Sequence, residues 1–231
     1  MSGIYSFFIW VWIFTLLLIL FAIANVLIFL QKDKYDPILK WMTRILLTLI
    51  GIRVETDFSE KLDSKGTYLF LSNHVNVLDP FLLYGYIPTY VRGVESANQF
   101  NWPIYGTTIT RMGNIPIDRD NARKAIQSIH KAAEELRNGI SIVIFPEGHR
   151  TPDGKLKQLK RGSFILAKEG GRDIVPIIIS GGWEITRRGS WYISPGKIKL
   201  KFGRVIGVKD FKGLSSNELR ELCLSRLEEL I

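Results

Sequence analysis

From Ile4 to Leu30 the chain runs for 27 residues without a charged side chain, its apolar character broken only by Ser6, Thr15 and Asn25. Wound as a helix, this segment extends roughly 40 Å, more than the ~30 Å hydrocarbon core of a bilayer requires. Trp10 and Trp12 lie toward its start, and indoles favour the membrane–water interface. A cleaved signal sequence is one alternative, and Ala22-Ile23-Ala24 has the small residues of a cleavage site. Yet no Lys or Arg precedes the run, and apolar residues continue to Leu30. A buried core helix is the other alternative, but this length is excessive for a chain of 231 residues. The segment therefore reads as a membrane anchor, and it holds the excess behind an apolar fraction of 46% and a mean hydropathy of +0.10.

Lys32, Lys34, Lys40 and Arg44 follow the run, so the positive-inside tendency places the remainder on the cytoplasmic side of the cell membrane. Asp36-Pro37 opens a second helix. Ile38, Leu39, Trp41, Met42, Ile45, Leu46, Leu49 and Ile50 recur with a helical period, with Lys40 and Arg44 on the other face. This predicts an amphipathic helix at the interface, packed beside the anchor. The anchor unit then covers residues 1–52 and a single domain covers 53–231. The formal net charge of +9 suits anionic lipid head groups or an anionic substrate. No recognised nucleic-acid module is present, and an anchor argues against such a partner. A lone cysteine, Cys223, excludes an intramolecular disulfide and a cysteine-built zinc site. It falls among Leu219, Leu222 and Leu227 on a terminal helix opened by the capping box Ser215 to Glu218, and reads as core.

Beyond about residue 53, strand-like and helical patterns alternate. Strand-like runs cover Thr67 to Ser72, Tyr90 to Val94, Asn114 to Ile117, Ser141 to Phe145, Ile174 to Ser180 and Ile198 to Val208. Those from Ser141 and Ile174 are continuously apolar, as in strands covered on both faces. The clearest helix covers Asn121 to Arg137, with Gly139 closing it, and a shorter one covers Gly162 to Glu169. The fold class is α/β, a mostly parallel central sheet flanked by helices. Sites in such sheets gather at the carboxyl ends of strands, where three polar clusters fall.

The first cluster is Asn73-His74-Val75-Asn76-Val77-Leu78-Asp79-Pro80. Imidazole suits proton abstraction near neutral pH, and a carboxylate on one ring nitrogen fixes the tautomer. Asp79-Pro80 would equally serve as a helix cap with proline behind it. The second cluster, Gly113 to Asp120, offers Arg119, either as a solvent-facing ion pair or as a guanidinium forked onto phosphate oxygens. The third is Phe145-Pro146-Glu147-Gly148-His149-Arg150. Gly148 permits a tight turn there, and Lys160-Arg161-Gly162 opens a helix with more positive charge.

These clusters, followed by Val175-Pro176-Ile177, resemble the four blocks of the glycerolipid acyltransferase family, N-H-x-x-x-x-D, G-x-I-x-I-D-R, F-P-E-G-T-R and V-P-I. The family's best-known members are 1-acyl-glycerol-3-phosphate (lysophosphatidic acid) acyltransferases, and the resemblance covers roughly residues 54 to 210. It implies a glycerol-3-phosphate acyltransferase-like fold and O-acyl transfer in phospholipid biosynthesis. It also implies that His74 is the general base, oriented by Asp79, and that Arg119, Glu147, Gly148, Arg150 and Lys160 bind the glycerol phosphate. No cofactor or metal is implied. The partners are a lysophospholipid acceptor, an acyl-CoA or acyl carrier protein thioester as co-substrate, and membrane lipid. Backbone donors near Gly148 would steady the oxyanion. The sequence departs from the pattern at His149, where Thr or Ser is usual, at Pro116, and at Asn76, where Ser is common. Acceptors with other head groups, or glycerol-3-phosphate itself, are the nearest alternatives. A hydrolase lacks support, since no G-x-S-x-G elbow and no H-E-x-x-H occur. A non-enzymatic adaptor would require that a block had lost its key residue.

Overall fold

The computed structural model describes residues 3–30 and 35–231, so Lys32 and Lys34 of the sidedness expectation lie outside the described residues. The apolar run forms α1 (Gly3–Leu30), followed by α2 (Tyr35–Leu49). Then come β1 (Ile52–Phe58), β2 (Leu69–Ser72), α3 (Asp79–Tyr86), β3 (Val91–Ser96), α4 (Tyr105–Arg111) and β4 (Ile115–Ile117). The chain continues through α5 (Ala122–Arg137), β5 (Ser141–Ile144), α6 (Gly162–Gly170), β6 (Ile174–Ser180), α7 (Gly182–Ile185), β7 (Gly196–Phe202), α8 (Val208–Phe211) and α9 (Ser216–Glu228).

Among the described residues, seven strands form one sheet in the order β1-β7-β6-β2-β5-β3-β4. The five from β6 to β4 are parallel; β7 joins β6 antiparallel, and β1 follows β7 in parallel. Strand β1 was not among the expected strands. Its alternation of Arg53, Glu55 and Asp57 marks a half-exposed edge, where Glu55 and Asp57 pair with Lys197 and Lys199 of β7. The strand expected from Ile198 to Val208 ends at Phe202. There the Gly203 N–H turns to the Pro176 carbonyl, and Ile206 makes a single bridge to Ile174. Pro176 itself is tolerated because the β6–β7 ladder begins one residue later, at Ile177.

The continuous apolar runs have the expected cause. Phe70, Val175, Ile177 and Ile179 face one side of the sheet with Leu82 and Leu83 of α3, Leu46 and Leu47 of α2, and Ile13 and Leu20 of α1. Leu69, Leu71, Ile142, Ile144 and Ile178 face the other side with Ile129, Ala133 and Leu136 of α5, Phe164 of α6, and Leu219, Cys223 and Leu227 of α9. Each fully buried Val, Leu, Ile or Phe among them contributes about 1.5–3 kcal/mol. The inner stripe of α1 thus belongs to the same core as the sheet.

Helix α2 differs from its expected orientation. Lys40 does not face water, whereas Arg44 stays exposed on the flank. Lys40 Nζ is buried, pairs with Asp36 at 3.1 Å, and donates to the carbonyls of Ile87 and Thr89; Arg44 Nε donates to the Gly85 carbonyl at 2.6 Å. These carbonyls at the end of α3 draw Lys40 inward and hold the exposed Arg44 across the helix end, as helix C-termini do. Ile38, Trp41, Ile45 and Leu49 are left exposed. Along α1, contacts with the rest of the chain recur from Ser6, which accepts from the Ile193 N–H, to Asn25, which joins Thr108 and Arg111 of α4.

Candidate active site

The carboxyl ends of the parallel strands converge on one edge of the sheet. His74 follows β2, Glu147 follows β5, and Arg119 follows β4. His74 Nδ1 lies 2.7 Å from Asp79 Oδ2, with the Asp79 side chain fully buried and the imidazole 12% exposed. The same oxygen accepts from the backbone N–H groups of Val75 and Asn76 at 2.7 and 2.9 Å, so Asp79 closes the His74 loop rather than capping its own helix. Asp79 Oδ1 is buried with no partner among the described residues. A carboxylate on Nδ1 holds the proton there and leaves Nε2, which has no hydrogen-bond partner among the described residues, as the acceptor. The ring stacks on Phe145, centroids 3.9 Å apart and planes 14° from parallel, which fixes its tilt.

The backbone of His74 is held from both sides. Its N–H donates to Glu147 Oε1 at 2.8 Å, and its carbonyl accepts from the Thr151 N–H. Glu147 Oε2 accepts from the Lys157 N–H at 3.0 Å, so both oxygens of this nearly buried side chain bind backbone. Burial pushes its carboxyl up to about 7, against the pull of those two donors. Asn73 clamps Ile179 of β6 through both its side-chain amide atoms, and Asn76 bonds the Gly182 carbonyl.

Arg119 meets His149 at 3.5 Å, NH1 to Nδ1. Burial lowers the Arg119 guanidinium, while the charges of Glu95 and Asp120 oppose that shift. His149 is lowered by burial and by four cations around it, Arg119, Lys160, Arg188 and Lys157. No carboxylate pairs with these four or with Arg150 among the described residues. Such unpaired cations repel one another and favour an anion between them. Gly148 has φ +75°, and a Cβ there would collide with the Lys160 side chain at 2.8 Å; only glycine lets that lysine lie across the turn. Its N–H is engaged with the Phe145 carbonyl, which removes it as an oxyanion donor.

Two cavities share Phe145 as a wall. One is apolar, enclosed by Leu20, Phe21 and Ala24 of α1, Leu39 of α2, Phe81 and Tyr84 of α3, and the strand residues Val91 and Val143. Half-buried Glu95 is its main polar feature, bonded to Asn114 and Tyr105, its carboxyl raised by desolvation. The other has Arg119, Gly148 and Lys160 at one end.

Comparison with known proteins decides the family. The family model described as Acyltransferase matches residues 53–180, more than half of the chain. The chain belongs to the acyltransferase family. It is 32% identical over 168 residues to a 1-acyl-sn-glycerol-3-phosphate acyltransferase of Limnanthes alba, covering 72% of this chain and 59% of that protein. It is 30% identical over 164 residues to the enzyme of the same name from Pseudomonas aeruginosa, covering 71% and 62%. The chain thus spans about three fifths of the length of these curated relatives. The crystal structure of the 1-acyl-sn-glycerophosphate (LPA) acyltransferase PlsC from Thermotoga maritima superposes with a TM-score of 0.81 at 21% identity, covering 100% of this chain and 97% of that one. That likeness agrees with the expected α/β fold.

Within this family member the structure brings His74, Asp79, Glu147 and Gly148 together, with Arg119 and Lys160 lining the adjoining cavity. Arg150 is less central: its carbonyl accepts from Arg188, and its own guanidinium makes no hydrogen bond among the described residues. Sequence reasoning did not single out Phe145 as the platform for the imidazole. Arg188 and Lys157 were also missed, having no motif to mark them.

Proposed function

We propose that this acyltransferase moves an acyl group from a thioester, acyl-CoA or acyl carrier protein, to the free hydroxyl of 1-acyl-glycerol-3-phosphate. One observation carries the reading: at the same edge of the sheet, an imidazole with a carboxylate on Nδ1 and no partner on Nε2 accompanies cations around His149 that lack carboxylate partners, both among the described residues. The names of the relatives support the same substrate. His74 Nε2 takes the hydroxyl proton as that oxygen attacks the thioester carbonyl. The carbon–sulfur bond then breaks, and the leaving thiolate recovers the proton from the imidazolium. Asp79 holds the ring in the orientation that leaves Nε2 free, and such base catalysis supplies about 10²- to 10⁴-fold. Arg119 and Lys160 hold the phosphate, with Arg150 at its rim. Glu147, with both oxygens on backbone, acts by placing His74. The acyl chain of the donor enters the apolar cavity behind Phe145.

Membrane association follows from α1, 28 residues long and largely exposed. Because the chain packs against α1 from Ser6 to Asn25, the helix lies along the leaflet with α2 beside it. The reading is tested by giving purified protein lysophosphatidic acid with acyl-CoA or acyl carrier protein thioester, and measuring free thiol and phosphatidic acid beside His74→Ala. Absence of thiol release from the wild type with either donor refutes it. Equal activity in His74→Ala refutes the base.

A further inference from the structure

Two loops of the catalytic domain, far apart in sequence, carry exposed aromatic residues onto the same flank of α1. In the first, residues 96–110 hold no charge, and Trp102 and Ile104 are 55% and 42% exposed. The backbone forces them outward. The Gly106 N–H closes on the Trp102 carbonyl, and Gly106 lies so near Phe100 that a Cβ would overlap its carbonyl oxygen. Ile104 is held at φ +63°, a conformation that β-branched residues avoid and that persists only where the surroundings impose it. Such strain spent on exposing an isoleucine has no use in water. In the second loop, residues 189–196 are uncharged, with Trp191 and Tyr192 48% and 53% exposed, and Arg187, Arg188 and Lys197 bracket them.

Both loops adjoin α1. The Trp10 indole N–H donates to the Trp191 carbonyl, and Gly3 lies against the Trp191 ring. Trp102 stacks toward Tyr105, which in turn meets Phe21. At 100° per residue, Trp10 and Phe21 stand about 20° apart around the helix, so the two loops share one flank, about 16 Å apart along it. Trp12 is bonded to the Leu49 carbonyl, which places α2 on another flank. The apolar surface of α1 therefore continues sideways into the domain.

We propose that the loops carrying Trp102–Ile104 and Trp191–Tyr192 enter the lipid leaflet, so that the catalytic domain is itself seated in the membrane and not merely tethered to it. The occupant is a phospholipid surface. Aromatic side chains, in the second loop flanked by arginine and lysine, match its interface, where indoles sit at the head-group level and cations meet anionic lipid. The inference rests on the membrane reading of α1 given above.

The test uses the full chain on phosphatidylcholine–phosphatidylglycerol vesicles whose acyl chains are brominated near the glycerol end. Variants retain one tryptophan at a time, the others being changed to Phe. Retained Trp12 reports α1, and retained Trp183, which lies over Gly154, reports a surface outside both loops. Bromine quenching of both Trp102 and Trp191 comparable to that of Trp12, with Trp183 unquenched, is the expected result. If Trp12 is quenched while either loop tryptophan behaves like Trp183, the proposal falls and the anchoring of α1 stands. If Trp12 is unquenched too, the anchoring reading falls with it. In the otherwise native chain, Trp102→Ser combined with Ile104→Ser lowers vesicle partitioning about tenfold; unchanged partitioning overturns the proposal independently of the multiple substitutions.

Discussion

Glu147→Gln distinguishes a brace from a phosphate contact, two roles that one carboxylate cannot fill together here. Glutamine offers one acceptor oxygen where Glu147 offers two, to the N–H groups of His74 and Lys157 at 2.8 and 3.0 Å. One backbone donor is then left facing an amide nitrogen, at a cost of about 1–3 kcal/mol. An opposing effect is of similar size. Burial raises the Glu147 carboxyl from 4.5 to about 7, so at pH 8 the ionised side chain costs about 3 kcal/mol that a neutral amide does not. The two nearly cancel, and the variant unfolds at pH 8 within about 2 kcal/mol of the wild type. The balance changes with acid. A carboxyl whose folded value is raised contributes stability that is full below 4.5 and lost as pH rises through about 7. The wild type therefore gains on the variant as pH falls across that window. Catalysis does not share the cancellation, because the lost bond displaces the His74 backbone: kcat falls about 10- to 100-fold while KM for the acceptor stays within about threefold. Steady-state kinetics with varied lysophosphatidic acid, and denaturant melts at pH 5 and 8, measure both. A tenfold rise in KM with kcat preserved would return Glu147 to the phosphate site and refute the reasoning.

Asp79→Asn removes the charge that gathers three donors on Oδ2 and puts an unpaired amide group at the buried Oδ1 position; kcat falls on the order of 10²- to 10⁴-fold, seen as slower thiol release at saturating substrates. Arg119→Lys loses the planar fork and raises KM for lysophosphatidic acid about tenfold, with monoacylglycerol turnover as the control that should not move. The neutral state favoured for His149 by burial and its four cationic neighbours contributes stability present above pH 6.5 and lost as pH falls toward its lowered folded value. The thermal margin of wild type over His149→Gln should shrink on acidification, and a margin that grows contradicts this. Val91→Phe narrows the apolar cavity at the start of β3, away from Phe145, and should shift donor preference to shorter acyl chains in a chain-length series.

The strand ends and the histidine–aspartate pair were legible because local rules govern them. Continuous apolar runs announce strands covered on both faces, and a strand end brings its next residues to the site. What stayed hidden depends on partners far along the chain. Asn73 reads as a motif letter, yet its work is a clamp on Ile179, 106 positions away. Glu147 reads as a neighbour of phosphate until its two backbone donors are seen. Periodicity put Lys40 and Arg44 on one polar face of α2 but could not show that Lys40 is buried against the domain while Arg44 stays exposed, since the usual inference assumes that water lies outside. Strand β1 was overlooked although its alternation was visible, because the anchor's end drew the boundary across it.

The contacts that the α2 cations make with the end of α3 have a consequence for anyone trimming this chain. Lys40 and Arg44 satisfy carbonyls at the end of α3, and Leu46, Leu47 and Ile13 complete one face of the sheet. Excising the first 52 residues, or grafting an unrelated transmembrane helix in their place, would strip those carbonyls of donors and open the core on the side where the acyl cavity lies. Solubilisation by truncation is therefore the wrong route to this protein. Detergent or nanodisc preparations that leave both helices in place preserve the hydrophobic wall against which the catalytic half is built.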